Sequence, residues 1–234
     1  MKTCAIIIPC FNEASIIGSS LIQLTGDLAR IQNIRWHIVC VDDGSSDGTS
    51  DIIRGFISTF LAGQSTVQLI VLEKNSGKGA AIQAGLRAST ADIYGYMDAD
   101  LSIIYATALE KIIELLRVND LVVGRRIQKY GSGYSMMRAA ASHVFSWVAF
   151  KFFNIPAHDV QCGFKFFTEP AKKIALAVTQ PKFSFDLEFL SRAHRAKISI
   201  AEIYVAWQHR TQSRVEFFDG FYYIKDAAHV FFRR

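Results

Sequence analysis

Short apolar runs alternate with segments of helical periodicity through the first half of the chain. A run of roughly four to eight apolar residues bounded by turn-forming residues is typical of a buried strand. Such runs cover 5–9, 36–41, 67–72, 93–97 and 121–124, and helical segments cover 13–31, 46–60, 109–117 and the residues between Gly79 and Arg87. The alternation predicts an α/β fold, in which a mostly parallel sheet carries helices on both faces.

The regular alternation ends after Gly124, and the second half is markedly aromatic. Most of the 18 phenylalanines lie after residue 144, which indicates that this half covers something apolar. We predict a polar loop over 126–133, a helix over 136–153, short apolar runs at 164–167 and 198–203, and an aromatic helix over 215–232. At 234 residues, half of them apolar, the chain fits one globular domain.

Two acidic clusters each follow a predicted strand. Asp42 and Asp43 follow the second strand, and Asp98 and Asp100 follow the fourth, on either side of Ala99. Ligands of an open α/β sheet bind outside the carboxyl ends of its strands, so we expect both clusters to face one crevice. Carboxylates hold a hard divalent cation that also binds phosphate oxygens. The clusters therefore predict a site for a nucleoside diphosphate and its metal, with solvated acids at two turns as the alternative.

Two loops can complete this crevice. The first, Pro9-Cys-Phe-Asn12-Glu13, follows the first strand, and its Asn12 and Glu13 either cap the next helix or contact a nucleobase or ribose. The second, at 75–79, precedes a helix and carries Lys78 between two glycines, without the full spacing of a nucleotide-triphosphatase loop. A helix N-terminus beside a lysine nevertheless favours a diphosphate.

The charge balance points to phosphate-bearing ligands. The net charge is +5 and the pI is near 9.0, which suits phosphates or an anionic membrane surface. Nucleic acid is not expected, because the basic residues form no long run and no interleaved stacking motif. The four cysteines lack metal-ligand spacing, so we expect buried, reduced thiols in a cytosolic protein.

Neither a signal peptide nor a transmembrane helix is expected. The sequence opens on a predicted strand rather than on a basic and apolar leader, and no apolar run reaches roughly 18 residues. The segments 136–153 and 217–234 combine aromatic with basic residues, which favours peripheral binding to a membrane surface. Burial of both segments in the core, or in a homo-oligomer interface, is the alternative.

The order of the motifs resembles that of a known family. Pro-x-x-Asn-Glu, Asp-Asp-Gly-Ser-x-Asp-Gly-Thr, Asn-x-Gly-Lys-Gly and Asp-Ala-Asp occur at 9–13, 42–49, 75–79 and 98–100. Together they resemble the inverting family 2 glycosyltransferases, whose Rossmann-like, nucleotide-sugar-binding fold is named GT-A. The segments 159–167, 183–190 and 200–207 are similar to those of dolichyl- and polyprenyl-phosphate sugar synthases, with the glucosyl branch closer than the mannosyl one.

This resemblance implies an activity and its ligands. It implies a hexosyltransferase that moves a hexose, expected to be glucose, from a nucleoside-diphosphate sugar to a polyprenyl or dolichyl phosphate. UDP-glucose is the implied donor, with guanosine as the alternative base, and Mg²⁺ or Mn²⁺ is the implied cofactor. It also implies a donor-binding half at 1–125 and an acceptor-binding half at 126–234, facing the cytoplasmic surface of a membrane.

The resemblance also assigns residues to each ligand. Donor binding is assigned to Pro9, Asn12, Glu13, Asp42, Asp43, Lys78, Asp98 and Ala99, and to Arg210 and Arg214 of a late basic loop. Acceptor binding is assigned to Arg125, Arg138, Ser142 and Gln161. Asp98 and Asp100 are the implied metal ligands, and Asp100, Arg125 and Arg138 are the implied catalytic residues.

Some departures leave alternatives open. Relatives usually carry a transmembrane helix, which is not expected here. The Ser-Lys of their late basic loop is replaced by Ser213-Arg214, which keeps the charge but changes the geometry, and the segment 101–105 lacks their His-Pro or Thr-Pro. One alternative is a soluble family 2 glycosyltransferase whose acceptor is a hydroxyl of a glycan or of a small molecule. A general base would then be required, and Asp159 or Asp186 would be the candidates. A nucleotide-binding protein without catalysis is a third hypothesis, which the acids present at every donor position oppose.

Overall fold

The computed structural model describes residues 1–60, 63, 65–127, 155–182 and 184–207. In these ranges the strands are β1 (Lys2–Cys10), β2 (Ile34–Asp42), β3 (Ser65–Val71), β4 (Ile93–Met97), β5 (Ile103–Ile104), β6 (Leu121–Ile127), β7 (Phe164–Phe167) and β8 (Ile200–Trp207). The helices are α1 (Ile17–Leu28), α2 (Thr49–Thr59), α3 (Lys78–Arg87), α4 (Ala106–Leu115), α5 (Glu169–Leu176) and α6 (Phe185–Arg195).

The described strands form one sheet in the order β3-β2-β1-β4-β7-β6-β8-β5. β1 to β4 are parallel, β7 is antiparallel to both β4 and β6, and β8 is parallel to β6. Because β7 reverses the direction on both of its sides, β6 and β8 run the same way as β4. The carboxyl ends of β1, β2, β4, β6 and β8 therefore meet at one edge of the sheet, where β7 begins.

Helices cover both faces of the sheet, as the alternation predicts. Successive residues of β1 point to opposite faces, so Ile6 and Ile8 pack with α1, α2 and α4, whereas Ala5 and Ile7 pack with α3, α5 and α6. A strand buried on both faces needs apolar residues at nearly every position, which explains the continuous apolar run. The predicted mostly parallel α/β fold is confirmed.

The structure corrects several predicted boundaries. α1 begins at Ile17 rather than at residue 13, and Arg126 and Ile127 extend β6 where a loop was expected. The short β5 and the helices α5 and α6 were not predicted. The buried residues of α6 include Asp186 and Glu188. Its buried face is therefore not purely apolar, and hydrophobic periodicity does not reveal the helix. The predicted helices at 136–153 and 215–232 lie outside the described residues.

The structure also bears on the cysteines and on the expected absence of a transmembrane helix. All four cysteines are buried free thiols. In the described part of the chain, every helix is too short or too polar to cross a bilayer.

Candidate functional site

The turn after β1 is fastened to the turn after β2. The Asn12 N–H donates to Ser45 Oγ at 2.8 Å, Asn12 Oδ1 accepts from the Ser46 N–H at 2.9 Å, and the Glu13 N–H donates to Thr49 Oγ1 at 2.8 Å. Asn12 has a φ of 55°, a left-handed conformation that asparagine tolerates better than most residues. Asn12 is therefore a tether between two turns, and the alternative that it caps α1 is wrong, because α1 begins at Ile17.

Asp42 and Asp43 are both buried, and both accept hydrogen bonds from the protein. Asp42 Oδ1 accepts from the Ser45 N–H at 2.9 Å, and its other oxygen accepts from the Ser50 hydroxyl. The two oxygens of Asp43 accept from the N–H groups of Ser76 and Gly77, each at 2.7 Å.

The Asp43 contacts bring the loop before α3 against the turn after β2. Gly44 has a φ of 74°, and a Cβ at this position would lie 2.7 Å from the carbonyl carbon of Lys74, so only glycine fits the approach. Burial raises the pKa of Asp43 above its ordinary value, although the two N–H groups act in the opposite direction. Sequence reasoning treated both acids as ligand-binding groups and missed their role in fixing these loops.

Lys78, the first residue of α3, reaches the turn after β4. Its Nζ lies 2.6 Å from Asp98 Oδ1, and the side chains of Lys78 and Asp98 are 15% and 40% exposed. Burial lowers the pKa of Lys78, but the negative charges of Asp98 and Asp186 outweigh it and raise the pKa to about 12. Lys78 is therefore a cation at neutral pH, paired with a carboxylate that still faces solvent.

A small, open cleft lies between the end of β4 and the start of β7. Asp98, Leu101, Ser102 and Gly163 contribute to its lining. A Cβ at Gly163 would overlap the Asp98 carboxylate, so this glycine is the residue that leaves room for it. Asp100 lies in the same turn, and its Oδ1 accepts from the Ser102 N–H at 3.0 Å.

The donor atoms here suit a hard divalent cation. Among the described residues there is no cluster of three or more His, Cys, Asp or Glu that could hold a metal. Asp98 and Asp100 instead offer two carboxylates at one strand end, as at magnesium sites where substrate phosphates and waters complete the coordination. The residues therefore fit Mg²⁺ or Mn²⁺ that binds together with a diphosphate.

The other side of the edge is built on β6 and β8. Arg125 lies on β6 with its guanidinium carbon 5.2 Å from the ring centre of Tyr204 and its Nη1 3.9 Å from Glu202 Oε2. Glu202 also accepts from the backbone N–H of His158 at 2.6 Å, and its Oε2 lies 2.7 Å from His158 Nδ1. The Arg125 side chain remains 34% exposed, so it can contact an anion from solvent.

Arg126, one residue later, has a different environment. Its Nε and Nη2 donate to the two oxygens of Asp159 at 2.7 and 2.8 Å, and its backbone N–H donates to Asp159 as well. Burial opposes the ionisation of Asp159, but the hydrogen bonds and charge of Arg126 outweigh burial and lower the pKa. This bidentate pair disfavours Asp159 as a general base.

Asp186, the other general-base candidate, is buried in a second network. Its Oδ1 accepts from Lys165 Nζ and from the Tyr96 hydroxyl, both at 2.5 Å. Lys165 is fully buried and also donates to the carbonyls of Val160 and Cys162, at 3.0 and 2.6 Å. The network therefore fixes the loop that carries the half-buried Gln161. Sequence reasoning missed this role, although a lysine between phenylalanines was a signal.

The structure thus connects most of the predicted site residues at one edge of the sheet. Tethers run from Asn12 to Ser45, from Asp43 to the loop before α3, and from Lys78 to Asp98. Pro9 lies near the carboxyl end of β1, and the buried Ala99 lies between the two acids after β4. Arg138, Ser142, Arg210 and Arg214 lie outside the described residues.

The chain is similar to known proteins over most of its length. The family model described as glycosyl transferase family 2 matches residues 5–173. The dolichyl-phosphate beta-glucosyltransferase of Dictyostelium discoideum is 27% identical, over 98% of this chain and 74% of that protein. The one of Homo sapiens is 30% identical, over 88% of this chain and 67% of that protein. The chain thus spans about two thirds to three quarters of these relatives.

Solved structures with the same fold are more distant in sequence. Glucosyl-3-phosphoglycerate synthase from Mycobacterium tuberculosis, in complex with Mn²⁺, UDP and glucosyl-3-phosphoglycerate, has a TM-score of 0.69 at 15% identity, over 98% of this chain and 80% of that one. A mannosyltransferase from Pyrobaculum calidifontis, in complex with GDP-Man and Mn²⁺, has a TM-score of 0.61 at 15% identity, over 90% of this chain and 58% of that one. At this identity, the likeness establishes the fold.

Proposed function

The chain is a glycosyltransferase that belongs to glycosyl transferase family 2, and on that premise we propose that it transfers glucose from UDP-glucose to dolichyl phosphate or another polyprenyl phosphate. The names of the curated relatives support the sugar and the acceptor, and the UDP complex of a structural neighbour supports the base. The structural observation that carries the proposal is the shared edge, where Asp98 and Arg125 both remain partly exposed.

The donor occupies the side formed by residues 1–125. Asp98 and Asp100 would hold Mg²⁺ or Mn²⁺, which would supply Lewis-acid stabilisation of the charge on the departing diphosphate. The turns after β1 and β2 receive the base and ribose through Pro9, Asn12, Glu13, Asp42 and Asp43. These turns are tethered to each other, so the pocket is formed before the donor arrives.

The acceptor occupies the side formed by residues 126–234, together with Arg125. A phosphate monoester has a second pKa of about 6, so its oxygen is already a competent nucleophile at neutral pH. Arg125, with Arg138, Ser142 and Gln161, positions that phosphate rather than deprotonating it. The pairing of Asp159 with Arg126 and of Asp186 with Lys165 supports this reading over a hydroxyl acceptor.

The reaction is one in-line displacement. A phosphate oxygen of the acceptor attacks the anomeric carbon of glucose from the face opposite the diphosphate. The new carbon–oxygen bond forms as the bond to the diphosphate breaks, and UDP leaves with the electron pair. The configuration at the anomeric carbon inverts.

We place the reaction at a membrane surface, on its cytoplasmic face. A polyprenol cannot leave the bilayer, so its phosphate must be met at the headgroup level. The aromatic and basic residues of 136–153 and 217–234 suit contact with that surface. Co-sedimentation with anionic liposomes at low salt tests this placement, and the absence of binding would contradict it.

The decisive experiment measures transfer with purified protein, Mn²⁺ and matched donors and acceptors. UDP-glucose with polyprenyl phosphate should give a glucosyl lipid, whereas GDP-mannose with the same acceptor should give little product. 3-Phosphoglycerate, a water-soluble phosphate monoester, serves as the acceptor control. Equal use of this soluble acceptor, or preference for the guanosine donor, would overturn the corresponding part of the proposal.

A further inference from the structure

The pairing of Lys78 with Asp98 bears on how metal and nucleotide bind to the proposed donor site. The backbone on both sides of Lys78 is held in place. A Cβ at Gly77 would lie 2.7 Å from the carbonyl oxygen of Pro181, and the Ala80 N–H donates to that same oxygen at 3.0 Å. The ammonium of Lys78 is therefore directed at Asp98 by a fixed helix start, and not by a mobile surface loop.

A divalent cation and the Lys78 ammonium compete for the same carboxylate. The 2.6 Å contact between Lys78 Nζ and Asp98 Oδ1 places a positive charge beside the oxygens that would bind the metal. A metal that arrived alone would be repelled by this ammonium, and displacing it would leave a largely buried charge without its partner. A metal that arrives with a diphosphate brings oxygens that can accept from the displaced ammonium.

We propose that Lys78 is an internal counter-ion that keeps Asp98 from binding free divalent metal. When metal and nucleotide bind together, its ammonium group leaves Asp98 and pairs with the donor diphosphate. This inference rests on the proposed donor site. It makes the affinities for metal and nucleotide mutually dependent, since each ligand then strengthens the binding of the other by the same factor. Lys78 thus couples metal binding to nucleotide binding, in addition to contacting the donor.

The test measures Mn²⁺ binding by electron paramagnetic resonance and calorimetry, with and without UDP. Lys78→Met removes the charge and keeps most of the side-chain length. Without UDP, this variant should bind Mn²⁺ at least about tenfold more tightly than the unmodified protein. The factor by which UDP increases the Mn²⁺ affinity should be at least about tenfold smaller in the variant than in the unmodified protein. The exposed Lys74 lies in the same loop, and Lys74→Met is the matched control that should behave like the unmodified protein.

The outcomes separate this inference from the proposed function. If the unmodified protein binds Mn²⁺ with UDP but Lys78→Met gains no affinity without it, the counter-ion role is wrong and the donor site stands. If the unmodified protein binds no Mn²⁺ even with UDP, the donor site itself is wrong. Lys78→Gln provides a second neutral variant, with circular dichroism as the folding check, and must show the same gain in metal affinity.

Discussion

The proposed donor side and the proposed acceptor side of this sheet edge are stabilised by different interactions. On the donor side, the buried Asp43 accepts from two backbone N–H groups, and Asn12 is tethered at both its backbone and its side chain. On the acceptor side, Arg125, Glu202 and His158 interact mainly through side chains that are partly exposed. Backbone-anchored carboxylates fix a loop geometry, whereas partly exposed ion pairs contribute little stability and can exchange partners.

This difference matches what each ligand requires. A pocket formed in advance binds a nucleotide without the cost of ordering its own loops. A lipid phosphate must enter from a bilayer. The Arg125 guanidinium, which among the described residues contacts the ring of Tyr204 and the carboxylate of Glu202, is partly exposed and can turn towards it. The comparison therefore predicts that loss of the backbone-anchored Asp43 lowers stability as well as activity, whereas loss of Arg125 affects acceptor use alone.

The largest effect on activity is expected at the turn after β4, which we propose to bind the metal. Asp100→Asn removes a metal ligand but keeps an oxygen that can accept from the Ser102 N–H, so the turn should be preserved. Loss of Lewis-acid stabilisation worth several kcal/mol corresponds to a fall in kcat of about a thousandfold. Single-turnover assays measure this loss, and the thermal midpoint should stay within about 2 °C of the unmodified protein. Full activity in this variant, or in the unmodified protein with chelator, would remove the metal from the mechanism.

The second prediction tests whether the donor side is held by backbone hydrogen bonds. Asp43→Ala leaves the N–H groups of Ser76 and Gly77 without their acceptor, which should lower the free energy of unfolding by about 2–4 kcal/mol. Urea denaturation measures the change. The matched control is Asp51→Ala, which removes an exposed pair with Arg54 and should cost less than about 1 kcal/mol. Equal small losses in both variants would mean that Asp43 does not hold the loop.

The third prediction separates two consecutive arginines. Arg125→Ala should raise the KM for polyprenyl phosphate about tenfold or more, because a charged hydrogen bond contributes about 1.5–3 kcal/mol, while UDP binding stays unchanged. Arg126→Ala should instead lower the free energy of unfolding by about 2–3 kcal/mol, since it leaves the largely buried carboxylate of Asp159 without its bidentate partner. Comparable losses of donor and acceptor binding in Arg125→Ala would contradict the division between the two sides.

The parallel strands and the acidic edge were predictable because they are local signals. Each strand is an apolar run, and the rule that ligands bind at carboxyl ends places Asp42 and Asp98 together without further information. The antiparallel β7 was not predictable in the same way, since its direction depends on pairing with β4 and β6. A four-residue run carries no sign of its orientation.

The side-chain networks were not predictable, because their partners are distant in sequence. Lys165 pairs with Asp186, and Asp43 accepts from residues more than thirty positions away. A motif shows that an acid or a lysine is present, but it does not show which donors surround it. The contrast between Arg125 and Arg126 is the sharpest case, since strand alternation directs these adjacent side chains to opposite faces.

The smallest effect is expected in the pH dependence of stability, where the two sides should have opposite signs. Burial raises the pKa of Asp43 in the folded state, so the folded state binds more protons and the Asp43 contribution weakens as pH rises from about 4. The charge of Arg126 and its hydrogen bonds outweigh burial and lower the pKa of Asp159, so the Asp159 contribution is complete above about pH 4 and is lost below it.

Urea denaturation between pH 3 and 6 should therefore show that Asp159→Asn loses less stability than the unmodified protein on acidification. Asp43→Asn should lose more on the same change, because the opposing contribution is gone. If both variants shifted the acid limb in the same direction, the contrast between a carboxylate held by backbone N–H groups and one held by an arginine would be wrong.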